Sequence, residues 1–349
     1  MAKRSTHITG LEIDPSAITA AAVGTDGKLS VSSAAYALLE PGIIRDGEVQ
    51  DVAALSQALR SLFDDHRELD KRVRVGIANQ RIVLRVIELP PIKDEKQLAQ
   101  AVRFLAQDQI PMPLDSAVLD FRPLDIVDTP DGPRQRVAVV AARRDMIDRV
   151  LDAVRGAGLR IEGIDLAAFG MVRALHHHGL PGETVVYLSV GGVTNLAVAQ
   201  GTTCTFTRVI GGGLDGLAVE LAERRALTLE HAGGWLTHVG LEEPCELVTG
   251  YADDGAIIED ARAILIDGVR RIAGEVRNSV DFHQGNGIDG GVQRCVLTGP
   301  AVAVPGFAAA LAADLGLPVD AGDLRVPPGL EAGRLAVAAG LAVEEALVA

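Results

Sequence analysis

Apolar residues alternate with small or polar ones over 8–14, 18–24 and 28–38, a period of two that predicts three successive strands. Pro41–Glu48 reads as a loop. Over 51–67 the period lengthens: Val52, Leu55, Leu59 and Leu62 recur at helical spacing behind Asp51, a good N-cap. Alternation returns at Arg72–Ala78 and Ile82–Leu89 and stops at Pro90-Pro91. Asp94 then caps a helix running to about Gln109, which Pro111 and Pro113 end. Strands at 117–126 and 135–142 flank the polar turn Asp128–Pro133. A helix at 144–157 stops at Gly156-Ala157-Gly158, and a strand at 159–165 leads into a helix at 167–177.

Pro181-Gly182 is a boundary, because after it the order begins again. Three strands (184–190, 193–200, 203–209) precede Gly211-Gly212-Gly213, which opens a helix to about Arg225. Helices at 228–239 and 256–283 surround a less regular acidic stretch. A buried strand at 293–298 ends at Thr298-Gly299-Pro300, and helices at 304–315 and 331–347 close the chain. The pattern predicts an α/β protein of two similar lobes, each a mixed sheet covered by helices. Each lobe opens on a hairpin with a turn of small residues, a shape whose backbone N–H groups can hold a phosphate. Two such hairpins facing each other would clamp one nucleotide.

With 349 residues, 48% of them hydrophobic, the chain can bury two or more real cores, and aromatics at 3% leave those cores to Val, Leu, Ile and Ala. A net charge of −14 argues against broad nucleic-acid binding and against electrostatic attachment to an anionic membrane. Cys204, Cys245 and Cys295 lie far apart without metal-type spacing and read as reduced thiols. No run has the length of a signal peptide or a membrane span, so a cytoplasmic protein is expected, one able to reach the inner face of the cell membrane through a partner. Only five lysines occur, none after Lys96, and there is no Gly-Lys-Ser/Thr phosphate loop.

Candidate chemistry gathers in the second half. Gly191 and Gly192 let the backbone approach an anion, and Thr194 and Asn195 could add donors; an ordinary hairpin turn is the plainer alternative. Gly211, Gly212 and Gly213 at a helix start leave N–H groups at its positive end, or form a flexible turn. Glu275, Arg277, Asn278 and Ser279 could hydrogen-bond a ribose or base, or form a solvated helix face. Gly299, ending a strand before a helix, is a place for adenine to rest. His176-His177-His178 looks like a metal tract, but adjacent helical residues point apart, so a helix C-terminus is the better reading. No Ser/His/Asp or Cys/His arrangement is visible, and no motif supports a paired-carboxylate hydrolase.

Gly10-Leu-Glu-Ile-Asp-Pro-Ser16, Val86-Ile-Glu-Leu-Pro90 and Ala101-Val-Arg-Phe-Leu-Ala-Gln-Asp-Gln-Ile-Pro-Met-Pro-Leu-Asp115 resemble the PilM family of type IV pilus assembly proteins. Gly156–Leu166, Arg208–Asp215 and Glu275–Phe282 agree in type and order, so the resemblance covers nearly the whole chain. PilM is itself similar to the cell-division protein FtsA. The resemblance implies an actin-like, ribonuclease H-like two-lobed fold with FtsA-like subdomains: 1–82 with 158–180 (1A), an insert at 83–157 (1C), 181–215 with 284–349 (2A), and 216–283 (2B). It implies ATP between the lobes, near Ser16, Gly191, Gly192, Thr194, Asn195, Gly211–Gly213, Glu275, Ser279 and Gly299. It also implies a 1A/1C groove for the cytoplasmic N-terminal tail of a PilN-type membrane protein, and a platform with other inner-membrane pilus proteins. Leu84, Val86, Leu98, Val102 and Leu105 are candidate groove walls, each with core burial as the alternative.

Three nucleotide motifs depart from the family pattern. Glu12 keeps an acid, the candidate metal-side residue, but Asp14-Pro15 stand where Gly and a small residue are usual. Ser189 replaces the Asp that positions Mg²⁺, and a hydroxyl is a weaker ligand than a carboxylate. The adenine loop is Gly299-Pro300-Ala301 rather than a glycine run. A scaffold with a degenerate ATP cleft, no catalytic residue and little turnover is the leading reading. An active ATPase and an FtsA-like filament protein are the alternatives. The acidic tail Leu341–Ala349 lacks the basic amphipathic character of a membrane-binding helix.

Overall fold

The computed structural model describes residues 8–24, 29–180, 182–242, 254–285 and 291–344. Cys245, Pro181 and the tail beyond Glu344 lie outside the described residues.

The two lobes share one topology. In the first, Thr9–Ile13 pairs antiparallel with Ala17–Gly24, which pairs antiparallel with Ser30–Leu38. On its other side Thr9–Ile13 pairs parallel with Arg72–Ile77, which pairs parallel with Arg160–Leu166. The second lobe repeats this: Thr184–Val190, Thr194–Gln200 and Thr203–Ile210 form the meander, while Arg294–Thr298 and Val319–Ala321 continue the sheet in parallel. The element order read from hydrophobic periodicity is therefore a true internal repeat. The last strand has only three residues, too short for periodicity to reveal.

The first helix, Val52–Asp65, begins where Asp51 accepts the Ala54 N–H at 2.9 Å and buries Leu55, Leu59, Leu62 and Phe63 against the first sheet. The insert is a three-stranded sheet of Val83–Leu89, Gly132–Arg143 and Ala117–Thr129, covered by helix Glu95–Gln109. Its own core holds Ile87, Leu89, Leu98, Val102, Val137 and Val139. The next helix, Arg144–Gly156, sends Met146, Ile147, Val150 and Val154 into the first-lobe core instead. Packing therefore ends the insert near 143 rather than 157.

A second revision concerns the last helix. Ala332–Leu341 packs mainly on the first sheet, with Leu335, Ala338 and Ala339 against Ala21, Val23 and Val31, while the Gly299 N–H and the Thr298 hydroxyl of the second lobe donate to the Gly333 carbonyl at its start. It also crosses helix Ala167–Leu175 at backbone contact: a Cβ on Gly340 would stand 1.8 Å from the Gly170 carbonyl oxygen. Arg74 donates to the Leu341 and Val343 carbonyls, and Arg173 to that of Gly340, so the helix end is held by first-lobe guanidinium groups. The chain thus returns to lobe one after building lobe two.

The second core lies between the second sheet and helices Leu214–Arg225, Leu229–Val239, Asp254–Gly285 and Phe307–Leu315. The helix expected at 304–315 begins at Phe307 and runs to Leu315, and a short 3₁₀ turn at Pro300–Ala303 precedes it. Among the described residues, no helix is long and apolar enough to cross a membrane.

Candidate functional site

The two hairpin turns meet in one recess. Its lining includes Glu12, Asp14, Ser16 and Thr19 from lobe one, and Ser189, Gly191, Gly192 and Gly299 from lobe two. Gly333 and Arg334 at the start of the last helix complete it. Each turn is closed locally, by the Asp14 N–H to Ala17 carbonyl bond at 2.9 Å and the Gly191 N–H to Val193 carbonyl bond at 3.0 Å. Thr194 donates to the Gly212 carbonyl at 3.1 Å, tying the second hairpin to the glycine run.

Across the cleft, Asp14 Oδ1 accepts the Gly192 N–H at 3.1 Å, and on its own side the Ser16 N–H at 3.1 Å and the Ser16 hydroxyl at 3.0 Å. Asp215, in the first turn after the glycine run, approaches from the other side. Three acids thus crowd the recess. Burial, and then the Asp14 charge, push the Glu12 carboxyl up to about 8. Burial pushes Asp14 up to about 6, with the Ser16 N–H opposing and Asp215 reinforcing. Burial also raises Asp215, opposed by the Ser16 hydroxyl and the Arg334 charge. Arg334 is engaged: it pairs with Glu331 at 2.7 Å and lies 5.2 Å from the Tyr36 ring centroid.

Of the residues singled out from the sequence, Glu12, Ser16, Gly191, Gly192 and Gly299 border this recess. Thr194 and Gly212 support its rim, Gly213 packs on Gly191, and Gly211 lies against the Gln80 side chain. Three others are elsewhere. Asn195 faces a separate small recess with Ile77, Ala78, Ile82 and Val209, and its Oδ1 is buried without a hydrogen-bond partner. Glu275 pairs with Arg208 at 2.9 Å, and Ser279, fully buried, accepts from Arg208 at 3.1 Å and donates to the Glu275 carbonyl. These contacts lie between the long helix and strand Thr203–Ile210, away from the recess lining. Asp215 and Arg334 escaped sequence reasoning. Asp215 carried a signal, an acid in the first turn of a helix behind three glycines; Arg334 carried none.

The Gly192 N–H, a donor a phosphate would need, is already bonded to a carboxylate. Ser189 lines the recess with a neutral hydroxyl, a weaker metal ligand than a carboxylate, and Glu12 favours its protonated form near neutral pH. No group of three or more His, Cys, Asp or Glu among the described residues could hold a metal ion. The three histidines end a helix, where His176 meets the Arg173 carbonyl and His178 accepts the Asp323 N–H.

The insert presents a second feature. Side chains alternate along Val83–Leu89, so Leu84 and Val86 face opposite to Ile87 and Leu89. Leu84 enters the first-lobe core, whereas Val86 is half-buried and outside every core cluster. Leu98 and Val102 are core residues of the insert, and Leu105 packs against them. Of the five candidate groove walls, Val86 alone thus stays half-buried, on the Leu84 side of its strand, without being absorbed by a core.

Among solved structures, the chain is similar to a PilM–PilN type IV pilus biogenesis complex, with 26% identity and a TM-score of 0.78 over 97% of this chain and 98% of that one. It is similar in fold to the ethanolamine utilization protein EutJ of Carboxydothermus hydrogenoformans (15% identity, TM-score 0.55, 98% and 91% covered). MreB5 of Spiroplasma citri bound to ADP also matches in fold (11% identity, TM-score 0.52, 97% and 95% covered). The fold is actin-like, with two lobes built on the repeated five-stranded sheet. The model of the type IV pilus assembly protein PilM matches residues 10–248, about two thirds of the chain, and the chain belongs to that family.

Proposed function

We propose that this protein is a nucleotide-independent scaffold of a type IV pilus, or related secretion, assembly platform. It holds the cytoplasmic N-terminal tail of a PilN-type membrane protein in the groove between the first lobe and the insert. The partner would keep it at the inner face of the cell membrane. The observation that carries the reading is the 0.78 match, across nearly the whole chain, to a PilM–PilN complex. The groove chemistry supports it: Val86 supplies apolar surface beside a strand, the arrangement that suits an extended peptide with apolar anchors. The recess beside Asn195 lies between the first lobe and the second sheet, bordered by Ile82 just before the insert begins, and its unpaired Oδ1 could accept a peptide N–H.

The chemistry of the cleft supports independence from nucleotide. Relatives of the same fold include one solved with ADP, and ATP at the corresponding place is the alternative for this chain. Here the cleft carries three acids, lacks a metal-positioning carboxylate at Ser189 and has one phosphate donor engaged. The test is calorimetric titration with a synthetic peptide of the PilN-type tail encoded in the same genome, with and without Mg·ATP. The expected outcome is saturable binding whose affinity is unchanged by Mg·ATP. Absence of peptide binding would sink the scaffold reading; a strong ATP effect would restore the switch.

A further inference from the structure

Gly191-Gly192-Val193 turns a backbone amide toward the opposite lobe, as an anion cradle does. The anion it meets belongs to the chain. Gly192 N–H donates to Asp14 Oδ1 at 3.1 Å, a bond between residues 178 positions apart. The same oxygen takes two donors from Ser16, so donors of both lobes converge on one carboxylate. The fit is close: a Cβ on Gly192 would stand 2.1 Å from that oxygen and 2.9 Å from an Asp215 carboxylate oxygen. Asp14 is set in position by the two backbone bonds it exchanges with Ala17.

We propose that Asp14 is a built-in anion: its carboxylate takes the place of a phosphate oxygen in the Gly191–Gly192 cradle and clasps the two lobes shut with no nucleotide bound. The inference rests on the nucleotide-independent reading and names what stands in for the ligand. A tethered carboxylate competes as an intramolecular ligand, at an effective concentration no free phosphate matches. It also repels what it displaces, because a phosphate entering here meets Asp14, Glu12 and Asp215 together. The bond joins the first hairpin of one lobe to that of the other, so breaking it releases the lobes at the mouth of the cleft.

The test compares the full chain with Asp14→Ala and Asp14→Asn by hydrogen–deuterium exchange over 190–194 and by calorimetric titration with inorganic phosphate. In the native chain the segment is protected without any ligand and phosphate does not bind. In Asp14→Ala the segment exchanges roughly tenfold faster or more, the loss of a charge-assisted bond, and phosphate binding becomes measurable. Asp14→Asn keeps an acceptor oxygen without the charge, so it retains protection yet binds phosphate better than the native chain. Equal exchange in native and Asp14→Ala protein, or equal phosphate affinity, overturns the clasp. If Asp14→Ala does not fold, Asp14→Asn decides through phosphate affinity alone. Capture of the PilN-type peptide is measured on the same samples. Its failure with the exchange difference present sinks the scaffold reading and leaves the clasp; the reverse pattern sinks the clasp alone.

Discussion

Glu12 offers a quantitative test of the cleft. It lies on the central strand Thr9–Ile13, opposite Thr19, with its carboxyl on the floor of the recess. Its ordinary value of 4.5 rises to about 8, chiefly through burial and secondly through the Asp14 charge. The folded state therefore keeps a proton that the unfolded chain gives up. For a carboxyl raised in this way, the stabilisation is complete below pH 4.5 and is lost as pH rises through 8. Between about pH 6.5 and about pH 8.5 the loss amounts to about 2 kcal/mol, and water at the cleft edge of the carboxyl trims it to about 1–2 kcal/mol. The other perturbed groups interfere little in that window. Asp14 titrates near 6, and burial pushes His177 and His283 below their ordinary 6.5. Cys204, Cys295 and Tyr187 are pushed upward from 9.0 and 10.0. Asp215 is common to native and variant protein, so it cancels. The assay is urea unfolding followed by circular dichroism at both pH values, for the native chain and Glu12→Gln. The native protein is expected to lose stability with rising pH and Glu12→Gln to lose clearly less. Parallel pH profiles would refute the placement of a neutral Glu12 in the folded cleft.

Val86→Glu puts a charge on the half-buried Leu84 side of the insert strand while leaving Leu84 and Ile87 in their cores; PilN-type peptide affinity is expected to fall roughly tenfold by calorimetry with an unchanged melting profile. Ser189→Asp alone should gain no Mg·ATP affinity, because Asp14 still engages Gly192, whereas Ser189→Asp with Asp14→Gly should; calorimetry with and without Mg²⁺ distinguishes them. Gly340→Ala places a methyl 1.8 Å from the Gly170 carbonyl oxygen and should cost about 2–4 kcal/mol, read from the urea midpoint. A midpoint within error of the native value would show that the last helix can slide away from its neighbour.

Period and punctuation carried the fold far. The three-strand meander at the start of each half was legible because half-buried strands alternate, and the break at Pro181-Gly182 separated the repeats. The seat of helix Ala332–Leu341 was not legible. Its sequence, AGRLAVAAGL, is small and apolar on most sides, so periodicity names no single face, and its partner is chosen by the Gly170–Gly340 crossing. Helix Arg144–Gly156 shows the same limit: its apolar stripe was clear, but not which of two adjacent cores it would join. For the site, the turns at 14–16 and 191–193 were found because glycine, proline and serine mark turns. Glu275 and Ser279 were sought as ligands for a ribose, yet Arg208, on a strand some 70 positions upstream, engages both. A helical face can be read from sequence; what stands in front of it cannot.

Asp14 illustrates how one residue changes meaning once its partner is known. In sequence it is a negative charge beside a presumed phosphate, a local defect in a binding motif. In the structure it is a ligand of that motif, and the glycine opposite it still has the close approach that a phosphate would require. Loss of a function predicts decay of the cradle, because nothing then holds Gly192 to glycine. Here the cradle's donor is satisfied, and under the proposal above the acid that satisfies it is also the group that would exclude a nucleotide. The closure that a nucleotide supplies from outside would in this chain be encoded within it. A partner-holding groove next to such a cleft gains from that arrangement, since its geometry would no longer follow the supply of ATP.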